Sequence, residues 1–177
     1  MIKNIIYQES PSEDITPLTM AVIPKLDGYG NLGSIIMEEE TEHFIIQHTP
    51  SKLIDRACKF FGASLKGRQE GTFDVCGITH KAPICIDPQS GMYFFPTSSP
   101  ANQSCIWIAH SHIDVINKTE DNRTEITFQT GRNVVVDVSY GSMLNQIQRT
   151  AQFRYLLDNR IKNLQKHVSN MVAESYT

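Results

Sequence analysis

The chain has 177 residues, enough for one folded domain with a buried core, and its 40% hydrophobic and 20% charged residues are ordinary for a globular protein. No apolar run approaches the roughly 20 residues that a membrane span needs, and no secretory signal follows the N-terminus, so the four cysteines are expected to be reduced. The formal net charge of −3 argues mildly against a nucleic-acid partner.

The first fifty residues predict strands and turns. Prolines and glycines in residues 10–34 indicate turns around a short strand from Leu18 to Ile23, and residues 44–46 predict another strand. Residues 52–61 then predict a short basic helix, because apolar side chains recur there at helical spacing. Ser51 suits its N-cap, and Gly62 suits its end.

From residue 62 onward the chain predicts a β-rich core. Gly62 to Gly67 indicates a glycine-bounded turn, and residues 125–138 indicate a hairpin that turns at residues 129–133. Short apolar runs separated by Gly and Pro predict strands at residues 73–75, 84–86, 92–95, 106–108, 125–128 and 134–138. The strands suggest a meander or a partly closed sheet.

Ser142 is the predicted N-cap of a long C-terminal helix that runs to about Val168. The helix carries two apolar stripes on different sides, and such a helix usually packs against two things. The first stripe is Leu144, Ile147, Ala151 and Tyr155. The second stripe is Phe153, Leu157, Ile161, Leu164 and Val168, and we predict that its first four members contact another copy of the chain. The alternatives are that both stripes meet the protein's own core, or that the helix bends near residue 153.

These elements predict an α+β fold in a single domain over residues 1–177. Residues 1–50 supply divergent N-terminal strands and turns, and residues 51–141 supply the β-rich core with a basic segment at 52–68. Residues 142–168 supply the C-terminal helix.

The charge is distributed unevenly. Residues 1–50 have two basic and eight acidic side chains, whereas residues 51–81 have six basic and three acidic. Residues 82–142 have three basic and six acidic, and residues 143–177 have five basic and two acidic. A DNA-binding face needs local positive charge, which two of these windows offer, although ordinary solvated faces give the same pattern.

The basic segment is the first candidate site. Arg and Lys at a helix end and in a flexible turn can neutralise phosphates and reach into a narrow groove. Phe60 and Phe61 suit either the core, where such aromatics usually lie, or an apolar wedge between base steps. The residues predicted to contact DNA are Lys52, Arg56, Lys59, Lys66, Arg68, Lys81, Arg149 and Arg154.

Cysteines and histidines suggest two weaker alternatives. A structural zinc needs four ligands, and Cys76, His80, Cys85, Cys105, His110 and His112 lack the paired spacing of known zinc motifs, so no metal is expected. A hydrolase triad could use Cys105, His110 and Asp114, or Ser111, His112 and Asp114. The chain has no nucleophile elbow, Walker loop or dinucleotide fingerprint, so we expect no enzyme and no cofactor; a zinc-dependent hydrolase is the least favoured alternative.

A set of sequence blocks resembles the competence transcription factor (ComK) family. The blocks occur in the family's order and at similar spacing over about 105 residues, whereas the first fifty residues match poorly. They are DRACKFFGASLKGR (55–68), ITHKAPICIDP (78–88), YFFPT (93–97), IWIAHSHI (106–113), EITF (125–128) and SYGSMLNQIQRTAQFRYLLDNRI (139–161).

The resemblance implies a cytoplasmic, nucleoid-associated transcription activator of DNA-uptake genes in Gram-positive bacteria. It implies recognition of AT-rich boxes in double-stranded promoter DNA, largely through the minor groove, by a dimer or tetramer that acts indirectly on RNA polymerase. It also implies an adaptor that delivers the protein for degradation, but no Phe-Met-Leu-Tyr-Pro-like segment is found and the chain ends sixteen residues after Ile161, so that partner stays open. The alternatives are a protein-interaction module that kept the fold and a divergent regulatory paralogue with other target genes.

Overall fold

The structure is a computed structural model and describes residues 5–8 and 15–174. Within these residues ten strands form two sheets, and three α-helices accompany them, so the predicted α+β class is confirmed. The strands are β1 (Ile5–Gln8), β2 (Ala21–Leu26), β3 (Leu32–Met37), β4 (Glu42–Ile46), β5 (Ile84–Asp87), β6 (Met92–Pro96), β7 (Trp107–Ala109), β8 (Ile113–Lys118), β9 (Thr124–Phe128) and β10 (Asn133–Val136). The helices are α1 (Pro50–Phe60), α2 (Leu65–Cys76) and α3 (Tyr140–Glu174).

The larger sheet has seven strands in the order β1-β4-β3-β2-β7-β6-β5. Strand β1 runs parallel to β4, and all the other neighbours in this sheet are antiparallel. The smaller sheet is antiparallel, in the order β10-β9-β8. The predicted hairpin at residues 125–138 is confirmed as the β9–β10 pair, in which Val134 lies opposite Ile126.

Side chains alternate between the two faces of the larger sheet along each strand, and both faces carry buried residues. On one face, residues such as Val22 belong to a core cluster with Leu53 of α1. On the other face, Ile108 belongs to a cluster with Phe128 of the smaller sheet and Met143 of α3. Helix α1 therefore covers one face, while the smaller sheet and the first turns of α3 cover the other.

Helix α2 lies at the edge of the larger sheet, where it contacts α1, α3 and the edge strand β5. A third cluster of buried side chains, Cys85, Tyr93 and Phe153, joins β5, β6 and α3. Val75 of α2 packs against this cluster. The basic segment is thereby fastened to the sheet and to the C-terminal helix at once.

The predicted start of the basic helix is wrong by two residues. Helix α1 begins at Pro50, and its N-cap is Thr49, whose side chain accepts the N–H of Lys52. Ser51 lies inside the helix, where its hydroxyl oxygen accepts a hydrogen bond of 3.0 Å from the indole N–H of Trp107. Ser51 therefore connects α1 to the sheet, while the proline at N1 needs no hydrogen bond for its nitrogen.

Further sequence interpretations are wrong. The predicted turn from Gly62 to Gly67 ends at Ser64, because Leu65 begins α2, and α2 also replaces the predicted strand at residues 73–75. Helix α2 has no apolar stripe to indicate it, since Thr72 is its one fully buried residue. Gly33 does not mark a turn but lies in β3, where a Cβ atom would come within 2.6 Å of the Ile45 carbonyl oxygen. Helix α3 also begins before Ser142 and extends to Glu174.

Candidate nucleic-acid interface

Helix α1 presents three basic side chains on one side. Lys52, Arg56 and Lys59 are spaced by four and three residues, which places them along a single stripe of a helix with 3.6 residues per turn. The buried residues of the same helix, Leu53 and Cys58 among them, lie on the opposite side. Since the buried side faces the sheet, the basic stripe faces outward. We call Lys52, Arg56 and Lys59 the α1 stripe.

Two members of the α1 stripe already have partners. Arg56 donates a hydrogen bond of 2.8 Å to His48, and the Lys59 ammonium lies 2.7 Å from the Asp55 carboxylate. The Lys59 side chain is nevertheless 63% exposed, and surface ion pairs of this kind contribute little stability. A phosphate can therefore replace the Lys59–Asp55 pair at small cost.

Asp55 fixes the position of α2 relative to α1. Its carboxylate accepts the backbone N–H of Leu65, the first residue of α2, at 2.8 Å. Burial opposes ionisation of this carboxyl, but the hydrogen bonds from Lys59 and from the Leu65 N–H outweigh it and lower the pKa of Asp55. Ser64, which precedes Leu65, is the N-cap of α2, and its side chain accepts the N–H of Gly67.

Lys66 lies on the exposed surface of α2. Its side chain is 85% exposed and lies 3.8 Å from the Glu70 carboxylate. Thr72 is the buried residue of this helix. Its hydroxyl donates a hydrogen bond of 2.6 Å to the Pro83 carbonyl oxygen and so holds α2 against the chain leading into β5. Lys66 is thus a further solvent-exposed cation, on the helix that follows the α1 stripe in the chain.

Arg68 differs from the other cations of the basic segment, because its guanidinium is directed inward. It donates to the carbonyl oxygens of Phe61 and Ile86, at 3.3 and 3.0 Å. Its Nε atom is buried and has no hydrogen-bond partner. These two hydrogen bonds join the α1–α2 turn to β5, while the DNA contact of Arg68 stays a prediction.

Three predicted DNA contacts lie outside the basic segment. Lys81 is exposed, and the neighbouring His80 carbonyl accepts a hydrogen bond of 2.6 Å from Arg149. Arg149, a residue of α3, therefore lies next to the segment that carries Lys81. Arg154 is placed differently: its guanidinium lies 5.0 Å above the ring of Tyr93, a cation–π contact that favours a structural role.

The predicted oligomer stripe divides into a buried and an exposed part. Phe153 is only 2% exposed, and its ring meets that of Tyr93 edge to face at 5.9 Å, so it belongs to the protein's own core. Leu157 and Ile161 are half-buried, and Leu164 is 68% exposed. The reason is that α3 leaves the body of the protein after about residue 161. Beyond that point its exposed apolar residues include Val168, Met171 and Val172.

The cysteines offer no activated thiol among the predicted candidates. Burial raises the pKa of the Cys105 thiol, so the proposed triad with His110 and Asp114 has a protonated sulfur in place of a nucleophile. Burial also raises the pKa of Cys58 to about 12 and that of Cys85 to about 11. Across residues 5–8 and 15–174, no three His, Cys, Asp or Glu side chains are grouped so as to hold a metal ion.

None of the helices in the described part of the chain is long and apolar enough to cross a membrane.

Comparison with known proteins gives one consistent result. A family model described as "ComK protein" matches residues 12–162. The competence transcription factor of Bacillus subtilis (strain 168) is 38% identical over 151 residues, which cover 85% of this chain and 77% of that protein. No solved structure matches the chain at a significant level.

Proposed function

Because the chain belongs to the ComK family, we propose that it regulates competence transcription by binding AT-rich boxes in promoter DNA, largely through the minor groove. Family membership carries the regulatory role. The observation that supports direct DNA binding is the outward-facing α1 stripe, Lys52, Arg56 and Lys59, together with the exposed Lys66 on the next helix. We propose these four as the main DNA contacts and Lys81 with Arg149 as a second group.

The electrostatics agree with an AT-rich target. The minor groove of an A-tract is narrow and strongly negative, and it attracts Arg and Lys more than other sequences do. The overall net charge of −3 is no obstacle, because the field near a concentrated basic stripe is set by the local charges within a Debye length, about 10 Å at 0.1 M salt. Binding of this kind activates DNA-uptake genes in our proposal, acting indirectly on RNA polymerase in the cytoplasm.

The exposed end of α3 is the proposed contact with a second copy. Ile161, Leu164, Val168 and Met171 are spaced by three, four and three residues, the spacing of a coiled-coil seam. β-branched residues alternate with Leu and Met in this seam, which favours a two-stranded assembly. Leu157 continues the seam toward the body. A two-fold pair would carry two basic faces at a fixed separation, as a repeated DNA box requires.

Three duplexes of equal length test minor-groove recognition: an AT-rich box, a GC-rich duplex, and the AT-rich box with every A·T pair replaced by inosine·cytosine. In the minor groove inosine·cytosine lacks the guanine N2 amino group and therefore resembles A·T, whereas in the major groove it resembles G·C. We expect fluorescence anisotropy to give similar affinity for the AT and inosine duplexes, and weaker affinity for the GC duplex. Equal affinity for AT and GC duplexes would contradict AT recognition, and loss of binding to inosine alone would place recognition in the major groove.

A further inference from the structure

The end of α1 exposes two neighbouring aromatic rings. Phe60 is 66% exposed and Phe61 is 39% exposed. Their ring centroids are 5.1 Å apart with an angle of 75° between the planes, so the rings contact each other edge to face. Neither side chain belongs to the three core clusters. Exposing two adjacent phenyl rings to water is unfavourable, which indicates a surface that is covered in the functional complex.

The backbone that carries the rings is firmly held. The N–H of Phe61 donates to the Cys58 carbonyl at 3.1 Å, and the N–H of Ala63 donates to the same carbonyl at 3.0 Å. Gly62 takes the left-handed conformation, with φ of 78°, that lets the chain turn tightly here. Arg68 then binds the Phe61 carbonyl and joins this turn to β5. The two rings are thus presented at the end of a rigid mount.

Cations flank the rings on both sides along the chain. Lys59 precedes Phe60, and Lys66 is the second residue of the next helix; both side chains are exposed to solvent. A partner that covers this surface must offer an apolar slot bordered by negative charge. Duplex DNA has that chemistry, because each stacked base step lies between two phosphate backbones.

We propose that Phe60 and Phe61 form an apolar wedge that enters the DNA between neighbouring base pairs, while Lys59 and Lys66 bind the adjacent phosphates. This inference rests on the proposed DNA-binding function and assigns a role to residues outside the basic contacts. Pyrimidine–purine steps such as TA unstack most readily, so a wedge adds preference for AT-rich sequence without hydrogen bonds to bases. Insertion also bends the duplex and brings more of its backbone onto the basic surface.

The wedge is tested with the full chain and an AT-rich duplex that carries 8-vinyladenine at its TA steps, plus a donor–acceptor dye pair at its ends. This adenine analogue adds no group to the minor groove and becomes brighter when its stacking is disrupted, and the dyes report bending. Wild-type protein should raise the 8-vinyladenine signal and shorten the end-to-end distance. The double variant Phe60→Ala/Phe61→Ala should lose both responses, with affinity for the AT box reduced about fivefold for each ring removed.

Three controls separate the wedge from its alternatives. Phe73→Ala removes another exposed aromatic, 57% exposed on α2, and should leave both signals unchanged. Phe60→Ala alone alters only the more exposed ring, and Phe60→Trp should restore the signal, because an aromatic of any kind can stack; circular dichroism confirms folding of each variant. A double variant that binds, unstacks and bends DNA like wild type would overturn the wedge and assign the rings to a protein partner. Wild-type binding without unstacking would overturn the wedge alone, whereas no wild-type DNA binding would overturn the proposed function as well.

Discussion

The four outward cations allow a quantitative test of the DNA-binding surface. The triple variant Lys52→Ala, Lys59→Ala and Lys66→Ala removes three positive charges that face solvent on α1 and α2. Since none of the three is buried, the fold should persist, and only the surface pairs with Asp55 and Glu70 are lost. Such pairs contribute about 0–1 kcal/mol each, so the free energy of unfolding should change little.

The expected effect on binding follows from counterion release. Each phosphate neutralised by a cation contributes about −0.9 to the slope of log affinity against log salt concentration, so three lost contacts should make the slope shallower by about 2.7. Between 50 and 200 mM salt, wild-type affinity should therefore fall about 40-fold more than that of the variant. Replacing lysines that touch only phosphate should weaken AT-rich and GC-rich duplexes by similar factors.

A matched control separates local contacts from overall charge. Lys25→Ala, Lys118→Ala and Arg123→Ala also remove three exposed positive charges, from β2, β8 and the turn before β9. Both triple variants therefore carry the same net charge. Anisotropy titrations at five salt concentrations give each slope. Equal slopes for the two variants would refute the reasoning, because the effect would then come from net charge rather than from the α1 stripe and Lys66.

The remaining predictions concern assembly and stability. Leu164→Asp should give a folded monomer in sedimentation experiments, whereas Phe153→Ala should lower the free energy of unfolding by about 3–5 kcal/mol; a folded dimer with Asp at 164 would contradict the seam. Arg68→Ala should lower the free energy of unfolding in urea by about 1.5–3 kcal/mol, because two backbone carbonyls lose a charged donor. A decrease below about 0.5 kcal/mol, which is typical of an ordinary surface substitution, would contradict its positioning role. In native protein at pH 8 a thiol reagent should label half-buried Cys76 well before the three buried cysteines, and simultaneous labelling would contradict their burial. Since folding raises the pKa of Cys58 to about 12, its stabilising effect is complete below the ordinary thiol pKa of 9.0 and should be lost as pH rises from there toward 12, with a falling free energy of unfolding.

Much of this organisation could be predicted because its signals are local. The stripe of Lys52, Arg56 and Lys59 follows from helical spacing alone, and the β9–β10 hairpin follows from two apolar runs around a glycine turn. The long C-terminal helix was likewise indicated by its periodic apolar residues. Each of these depends on neighbours within a few residues along the chain.

The features that could not be predicted depend on distant parts of the chain. Helix α2 contains Gly67 and Gly71 and lacks an apolar stripe, so only its caps, Ser64 and Gly77, indicate it. The hydrogen bond from Arg68 to the Ile86 carbonyl could not be predicted either, because nothing near Arg68 in sequence indicates a partner eighteen residues away. Likewise, one continuous apolar stripe on α3 does not indicate where the helix leaves the body and exposure begins.

In the proposed dimer, the long overhang of α3 would make part of this protein's stability dependent on its concentration. The buried side chains of α3, Met143, Gln146, Thr150 and Phe153, all lie in its first half, and residues 162–174 extend about 20 Å further with exposed side chains. These residues extend a formed helix but bury no side chain, and an unpacked helix end frays, so in dilute solution the backbone amides of this overhang should exchange hydrogen with solvent much faster than those near Phe153. In the proposed dimer, pairing with a second overhang would protect them by mass action. Hydrogen exchange at the end of one helix would then measure how far the protein has assembled, residue by residue, without any DNA present.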